Sequence, residues 1–232
     1  MMRPVLEVAH LSVTFGNQVA LQDINFSVRE HEVLAILGPN GAGKSTLLRA
    51  ILNLIPASGK IYIDPQQKIA YLPPQETILK KNLPPLTVQD FFSFKSKNTK
   101  QVQALLEDFG LPVSILIAPF AALSTGQFQR MMLAWTIIDN PSFIFLDEPL
   151  SGIDIGGEET IYALLHRLWK ERNLTIIMVT HNVSIIWKHA TQVLCLNKHV
   201  IHSGPPDTTL TPEILKKVYN MDVAFYEHHH SS

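Results

Sequence analysis

Gly38-Pro39-Asn40-Gly41-Ala42-Gly43-Lys44-Ser45-Thr46 decides the fold of this chain. Before it, Val33-Leu34-Ala35-Ile36-Leu37 has the length and composition of a short buried strand. After it, Leu47, Leu48, Ala50, Ile51, Leu52 and Leu54 have helical spacing, and the helix is expected to end near Pro56-Ala57-Ser58-Gly59. Strand, glycine-rich loop and helix are the context that a phosphate loop of the form GxxxxGKS requires. The glycines let the backbone turn its N–H groups around phosphate oxygens. Lys44 then reaches the β- and γ-phosphates of a nucleotide, and the Ser45 hydroxyl can ligate Mg²⁺. An ordinary glycine-rich turn needs neither the lysine nor the hydroxyl pair that follows it.

A length of 232 residues allows one large domain or two closely joined lobes with a substantial core. With 46% apolar and 17% charged residues the composition is that of a soluble globular protein. The net charge of −1 provides no global basic field toward nucleic acid or lipid, so no nucleic-acid partner is expected. The single cysteine, Cys195, excludes an internal disulfide, and its setting in Val193-Leu194-Cys195-Leu196 is that of a strand core. Met1 to Val5 offers no apolar leader, and no window of about eighteen apolar residues exists to span a bilayer. A membrane role therefore requires another chain.

Leu6 to Phe15 alternates as a strand, turns at Gly16-Asn17, and returns over Val19–Val28. Short strands are expected at Lys60–Ile63 and Ile69–Leu72, with Asp64-Pro65-Gln66-Gln67 between them. Residues from approximately 76 to 138 change character, with a proline-punctuated linker and helical patterns at Val88–Phe94, Thr99–Phe109 and Gly126–Asp139. This is a helical insertion between strand-rich blocks of an α/β core within one domain spanning 1–232. Asn140-Pro141 stops the last of these helices before the buried strand that ends at Leu146. An amphipathic helix at Glu158–Arg172, a central parallel strand at Leu174–Val179 and a helix at Val183–His189 follow. A hairpin at Gln192–Leu196 and Lys198–His202 and a helix at Pro212–Tyr219 close the chain.

Phe145-Leu146-Asp147-Glu148-Pro149 ends a buried strand in two carboxylates, an expensive place for charge unless it faces a metal or a reacting group. Asp147 can hold Mg²⁺, and Glu148 can orient and deprotonate an attacking water. His181 follows Ile176-Ile177-Met178-Val179-Thr180 at the end of another core strand. Strand carboxyl ends converge on the ligand in open α/β sheets, so His181 can lie near a γ-phosphate and stabilise developing charge. Leu123-Ser124-Thr125-Gly126-Gln127 precedes a helix, where Ser124 and Thr125 are good caps and the free N–H groups face an anion.

In this order the four motifs resemble the nucleotide-binding subunit of an ATP-binding cassette transporter over nearly the whole chain. They correspond to a Walker A motif at 38–46, a signature at 123–127, a Walker B at 143–148 and a switch histidine at 181. The resemblance implies a P-loop NTPase (RecA-like) core with an N-terminal antiparallel β region and an inserted α-helical subdomain. It implies that Phe15 stacks on adenine, that Gln75 ligates Mg²⁺ beside Ser45 and Asp147, and that Asp154 is the D-loop aspartate. ATP and Mg²⁺ are the expected cofactors, with hydrolysis as the activity. A second copy would close head to tail over two ATP, so that Ser124, Thr125, Gly126 and Gln127 of one chain face the nucleotide held by Gly38 to Thr46 of the other. An integral membrane permease and a solute-binding protein complete the implied system, placing the chain at the cytoplasmic face of the cell membrane.

Two positions depart from the pattern. Thr125 stands where glycine is usual, and its side chain either adds a hydrogen bond to the γ-phosphate or loosens the closed dimer. Pro73-Pro74 stands where one proline is usual before Gln75. The short Walker A to Gln75 segment, Asn82-Leu83-Pro84-Pro85-Leu86-Thr87-Val88, His199, His202 and the ending Tyr226-Glu227-His228-His229-His230 resemble the cassettes of zinc and manganese importers. The expectation is therefore divalent-metal uptake. The alternatives are a transporter of another solute in either direction, or a cassette ATPase outside transport. Clustered terminal histidines are either Zn²⁺ ligands or a cloning remnant.

Overall fold

Long alternating strands open the chain. The computed structural model describes residues 4–74, 86–150 and 155–219, with the backbone alone over 155–160. Strands β1 (Pro4–Phe15) and β2 (Gln18–Arg29) form the hairpin predicted from the Gly16-Asn17 turn. Strand β3 (Val33–Leu37) leads into the glycine-rich loop, and helix α1 (Lys44–Ile51) follows it. The helix is shorter than its apolar spacing suggests. Asn53 adopts a left-handed φ of 55°, its N–H bonds to Ala50 O, and Leu54 N–H bonds to Arg49 O. That pair of bonds satisfies the last carbonyls and stops the helix, leaving Leu54 58% exposed.

Strand β4 (Ser58–Ile63) joins the antiparallel layer, in the order β2-β1-β4, while β5 (Ile69–Leu72) joins the main sheet. The main sheet continues with β6 (Phe143–Asp147), β7 (Thr175–Val179), β8 (Gln192–Asn197) and β9 (His199–Gly204), in the order β5-β6-β7-β3-β8-β9. Its pairings are parallel except for β8 with β9, the hairpin read from the sequence.

Both faces of this sheet are covered, which is why its strands are apolar without interruption. Val33, Ala35, Leu37, Ile144, Leu146, Ile176 and Met178 face the larger core. Leu34, Ile36, Phe143, Phe145, Ile177 and Val179 face a second core, which α1 and the antiparallel layer complete through Leu47, Leu48, Leu6 and Leu21. Cys195 is fully buried on the first face, and burial pushes its thiol up to about 11, so it is an inert packing residue.

The helical block comprises α2 (Val88–Ser93), α3 (Thr99–Asp108), two 3₁₀ turns at Val113–Ile117 and Phe120–Ala122, and α4 (Thr125–Ile137). The turns lie between the expected helices Thr99–Phe109 and Gly126–Asp139, where the sequence shows no helical pattern. Thr87 and Ser124 close capping boxes with Asp90 and Gln127, which fixes where α2 and α4 begin. Phe92, Leu106, Phe120, Phe128 and Leu133 carry the larger core from the sheet into the block. Helices α5 (Ile155–Arg172), α6 (Val183–His189), α7 (Pro206–Thr209) and α8 (Pro212–Tyr219) complete the chain. The first starts three residues earlier than its apolar stripe predicts, and α7 had no sequence signal.

One glycine outside the site is indispensable. Gly59 has φ +105°, and a Cβ there would lie 2.4 Å from His10 O, where β1 shifts register against β4 between Ala9 and Ser12. Gly59→Ala is expected to destabilise the fold by about 2–3 kcal/mol through backbone strain and overpacking. Denaturant unfolding measures this directly; a change under about 0.5 kcal/mol would contradict the close approach.

Candidate functional site

The glycine-rich loop is clamped from two sides. A Cβ on Gly38 would lie 2.1 Å from Leu196 O, and one on Gly43, whose φ is +93°, would lie 2.6 Å from Leu21 Cδ2. Lys198 at the β8–β9 corner donates its N–H to Ala42 O at 2.9 Å and accepts from Gln22 N at 2.8 Å. Two distant segments thus hold the loop's backbone in place, and nothing in the local motif announces them. Ala42 N–H bonds back to Pro39 O, while Asn40 and Gly41 form the exposed crest.

Lys44 is the first residue of α1 and only 7% exposed. Its Nζ donates to Gly38 O at 2.9 Å and to Pro39 O at 3.0 Å. Burial pulls its ammonium below the ordinary lysine range, and the negative charges of Glu148 and Asp147 push it back up. Ser45 donates its hydroxyl to Asp147 Oδ1 at 2.9 Å, and Thr46 sits half-buried beside it.

Asp147 is 0% exposed at the end of β6. Burial pushes its carboxyl above the ordinary range, Ser45's hydrogen bond lowers it, and the charge of Glu148 raises it again. Such a carboxylate is stabilised by a cation. Asp147 and Ser45 offer the hard oxygens that Mg²⁺ prefers, already within hydrogen-bond distance of one another, so the residues fit the ion. Glu148 turns out of the strand with a left-handed φ of 48°, its N–H bonded to Val179 O at 3.1 Å.

The register places the remaining strand end. Val179 pairs with Ile36 on one side and with Asp147 on the other, so β7 runs between the loop strand and the carboxylate strand. His181 is exposed just beyond Thr180, whose N–H bonds to Ile36 O at 3.4 Å and whose hydroxyl accepts from Asn182 N–H at 3.1 Å. The carboxyl ends of β3, β6 and β7 therefore converge as the sequence suggested.

Phe15 and the Ser124–Gln127 turn belong to other elements. Phe15 ends β1 at the hairpin tip, 53% exposed. Ser124 accepts from Gln127 N–H at 3.2 Å, and Gln127 Oε1 accepts from Ser124 N–H at 3.0 Å, so the cap is closed within the chain. Thr125 is exposed at the first turn of α4. A Cβ on Gly126 would meet nothing within 4 Å. Gln75, Asp154 and His228-His229-His230 lie outside the described residues. His199 and His202 lie on β9, and among the described residues no group of three His, Cys, Asp or Glu side chains could hold a metal. No helix among the described residues is long and apolar enough to cross a membrane.

Sequence reasoning missed Tyr71, whose hydroxyl lies 3.5 Å from Asp147 Oδ2. It also missed the Leu196–Lys198 corner.

Comparison with known proteins gives a consistent result. The family model described as ABC transporter matches residues 21–151. The zinc import ATP-binding protein ZnuC of Rickettsia conorii is 35% identical over 236 residues, covering 99% of this chain and 98% of that protein. The protein of the same name from Yersinia pestis is 38% identical over 238 residues, covering 99% and 92%. Among solved structures, cbiO1 from Clostridium perfringens, part of the ABC transporter complex cbiONQ, superposes with a TM-score of 0.74 at 28% identity, covering 92% of this chain and 93% of that one. The ADP conformation of MJ1267, an ATP-binding cassette of an ABC transporter, superposes with a TM-score of 0.75, covering 92% and 98%; at 21% identity it supports the fold alone.

Proposed function

Because the chain belongs to the ABC transporter family, we propose that it is the ATP-hydrolysing subunit that powers zinc uptake through a separate membrane permease. The observation that carries the hydrolytic part is the cluster of Lys44, Ser45, Asp147 and Glu148 at adjoining strand ends. The zinc import named for the relatives from Rickettsia and Yersinia supports the cargo; manganese has no such support.

In this reading Gly38 to Thr46 wraps the phosphates. Gly41 and Gly43 hold left-handed conformations, with φ of 79° and 93°, that turn the backbone around them. Lys44 exchanges its bonds to Gly38 O and Pro39 O for phosphate oxygens. Ser45 and Asp147 would hold Mg²⁺, joined by Gln75 on the strength of the family resemblance. When bound, that ion neutralises charge on the phosphates. Glu148 accepts the proton of the attacking water, and His181 donates to the oxygens on which negative charge develops. Phe15 presents an exposed ring to adenine.

Ser124 and Gly126 are read as serving a second copy. Within its own chain Gly126 has open space where a Cβ would be, so the intrachain fold does not require glycine there; a ligand approaching from outside would. Thr125 and Gln127 flank that approach, and Asp154 is the D-loop aspartate. Closure of the two chains over ATP and their reopening after hydrolysis would drive the permease, aided by a solute-binding protein. The helical block offers the docking side. It carries a cavity of about 290 Å³ lined in part by Gln89, Phe92, Lys97 and Leu116, with Phe94 and Ile117 exposed. Such docking places the chain peripherally at the cytoplasmic face.

Cells lacking this chain are expected to accumulate less zinc in zinc-poor medium. The parent sequence restores accumulation and Glu148→Gln does not. Undiminished zinc in the deletion strain would reject zinc as the cargo, while leaving ATP hydrolysis to be judged on its own measurement.

A further inference from the structure

Asp147 is fully buried, so both of its carboxylate oxygens require partners. Ser45 supplies one to Oδ1 at 2.9 Å. Tyr71 supplies the other, approaching Oδ2 at 3.5 Å, a long hydrogen bond. Tyr71 is placed by the sheet itself: it pairs with Phe145 on the strand that ends in Asp147, and its ring packs against the second core. The positive charge of Arg49, from the last turn of α1, the helix that carries Ser45, acts on both Tyr71 and Asp147.

The chemistry of the three groups fixes the direction of the bonds. An ionised carboxylate only accepts, so the Tyr71 hydroxyl donates its single proton to Asp147, and a guanidinium, which only donates, does not compete for it. Ser45 can ligate a cation through an oxygen lone pair while still donating its proton to Oδ1, so its placement is shared between the ion and the carboxylate. Tyr71 is not itself a ligand in this reading, so its bond to Oδ2 serves the carboxylate's orientation alone.

We propose that Tyr71 is a positioning residue for Asp147 and that its hydroxyl sets how strongly the nucleotide site takes its divalent ion. The inference rests on the reading of Asp147 as the metal carboxylate. It also gives β5 a role, because this strand packs against α4 of the helical block.

The test is binding of fluorescent mant-ATP to the full chain, with Mg²⁺ and with EDTA, without any turnover readout. The parent binds more tightly with Mg²⁺ than with EDTA. In Tyr71→Phe, which keeps the ring and loses only the hydroxyl, that advantage shrinks about tenfold, the scale of lost outer-shell partners of metal ligands. Affinity in EDTA stays within about twofold of the parent, since the phosphate loop is untouched. A parental Mg²⁺ advantage in Tyr71→Phe overturns the proposal. So does a loss of affinity that is equal with Mg²⁺ and EDTA, which marks Tyr71 as a general scaffold. If the parent shows no Mg²⁺ advantage, the reading of Asp147 fails and takes the proposal with it.

Discussion

Glu148→Gln is expected to lower ATP turnover at least about a hundredfold, the lower end of what a positioned general base contributes. Glutamine keeps the size of the side chain and its hydrogen-bonding reach but cannot take a proton from water. The backbone that aims it is fixed independently, by the left-handed φ of 48° and the Glu148 N–H bond to Val179 O. Binding should therefore survive the loss of chemistry. Phosphate release and nucleotide binding, measured on the same preparation, separate the two. Turnover within a few-fold of the parent would remove Glu148 from the mechanism.

Lys44→Ala should act on binding instead. The ammonium is buried against the loop carbonyls under the charges of Glu148 and Asp147, and each charged hydrogen bond it transfers to a phosphate is worth about 1.5–3 kcal/mol. Losing one corresponds to roughly a ten- to hundredfold weaker nucleotide affinity. The fold should persist, since Lys44 makes its bonds within its own loop and α1 keeps Leu47, Leu48 and Ile51 in the core. Calorimetric titration with circular dichroism as a control tests both halves. Unchanged affinity in a folded variant would overturn the phosphate-loop assignment.

What the sequence made legible was local or periodic. The uninterrupted apolar strands at Val33, Phe143 and Leu174 were readable because a sheet buried on both faces tolerates no polar alternation. The start of α4 was visible in its capping residues and that of α2 in the helical pattern from Val88. The end of α1 was not, because Asn53 terminates it by adopting a conformation that its apolar neighbours do not betray. Nor was the separation of β4 from β5 into different sheets, which depends on partners far along the chain.

The candidate site divides in the same way. Lys44, Ser45, Asp147 and Glu148 carried their chemistry in motif and order, and the structure brings them together. Tyr71 looked like an ordinary strand aromatic, because its contact with Asp147 spans 76 residues of sequence. The clamp of Leu196 and Lys198 on the loop was equally hidden, since it is made by backbone atoms for which residue type is nearly silent.

The central claim is that the loop from Gly38 to Thr46 is half of a site and that Ser124 and Gly126 of a second copy complete it. Sedimentation of Glu148→Gln with and without saturating MgATP tests it most directly. The account predicts a species of 26.0 kDa without nucleotide and one of twice that mass with MgATP. A chain that binds MgATP and remains at 26.0 kDa would contradict it.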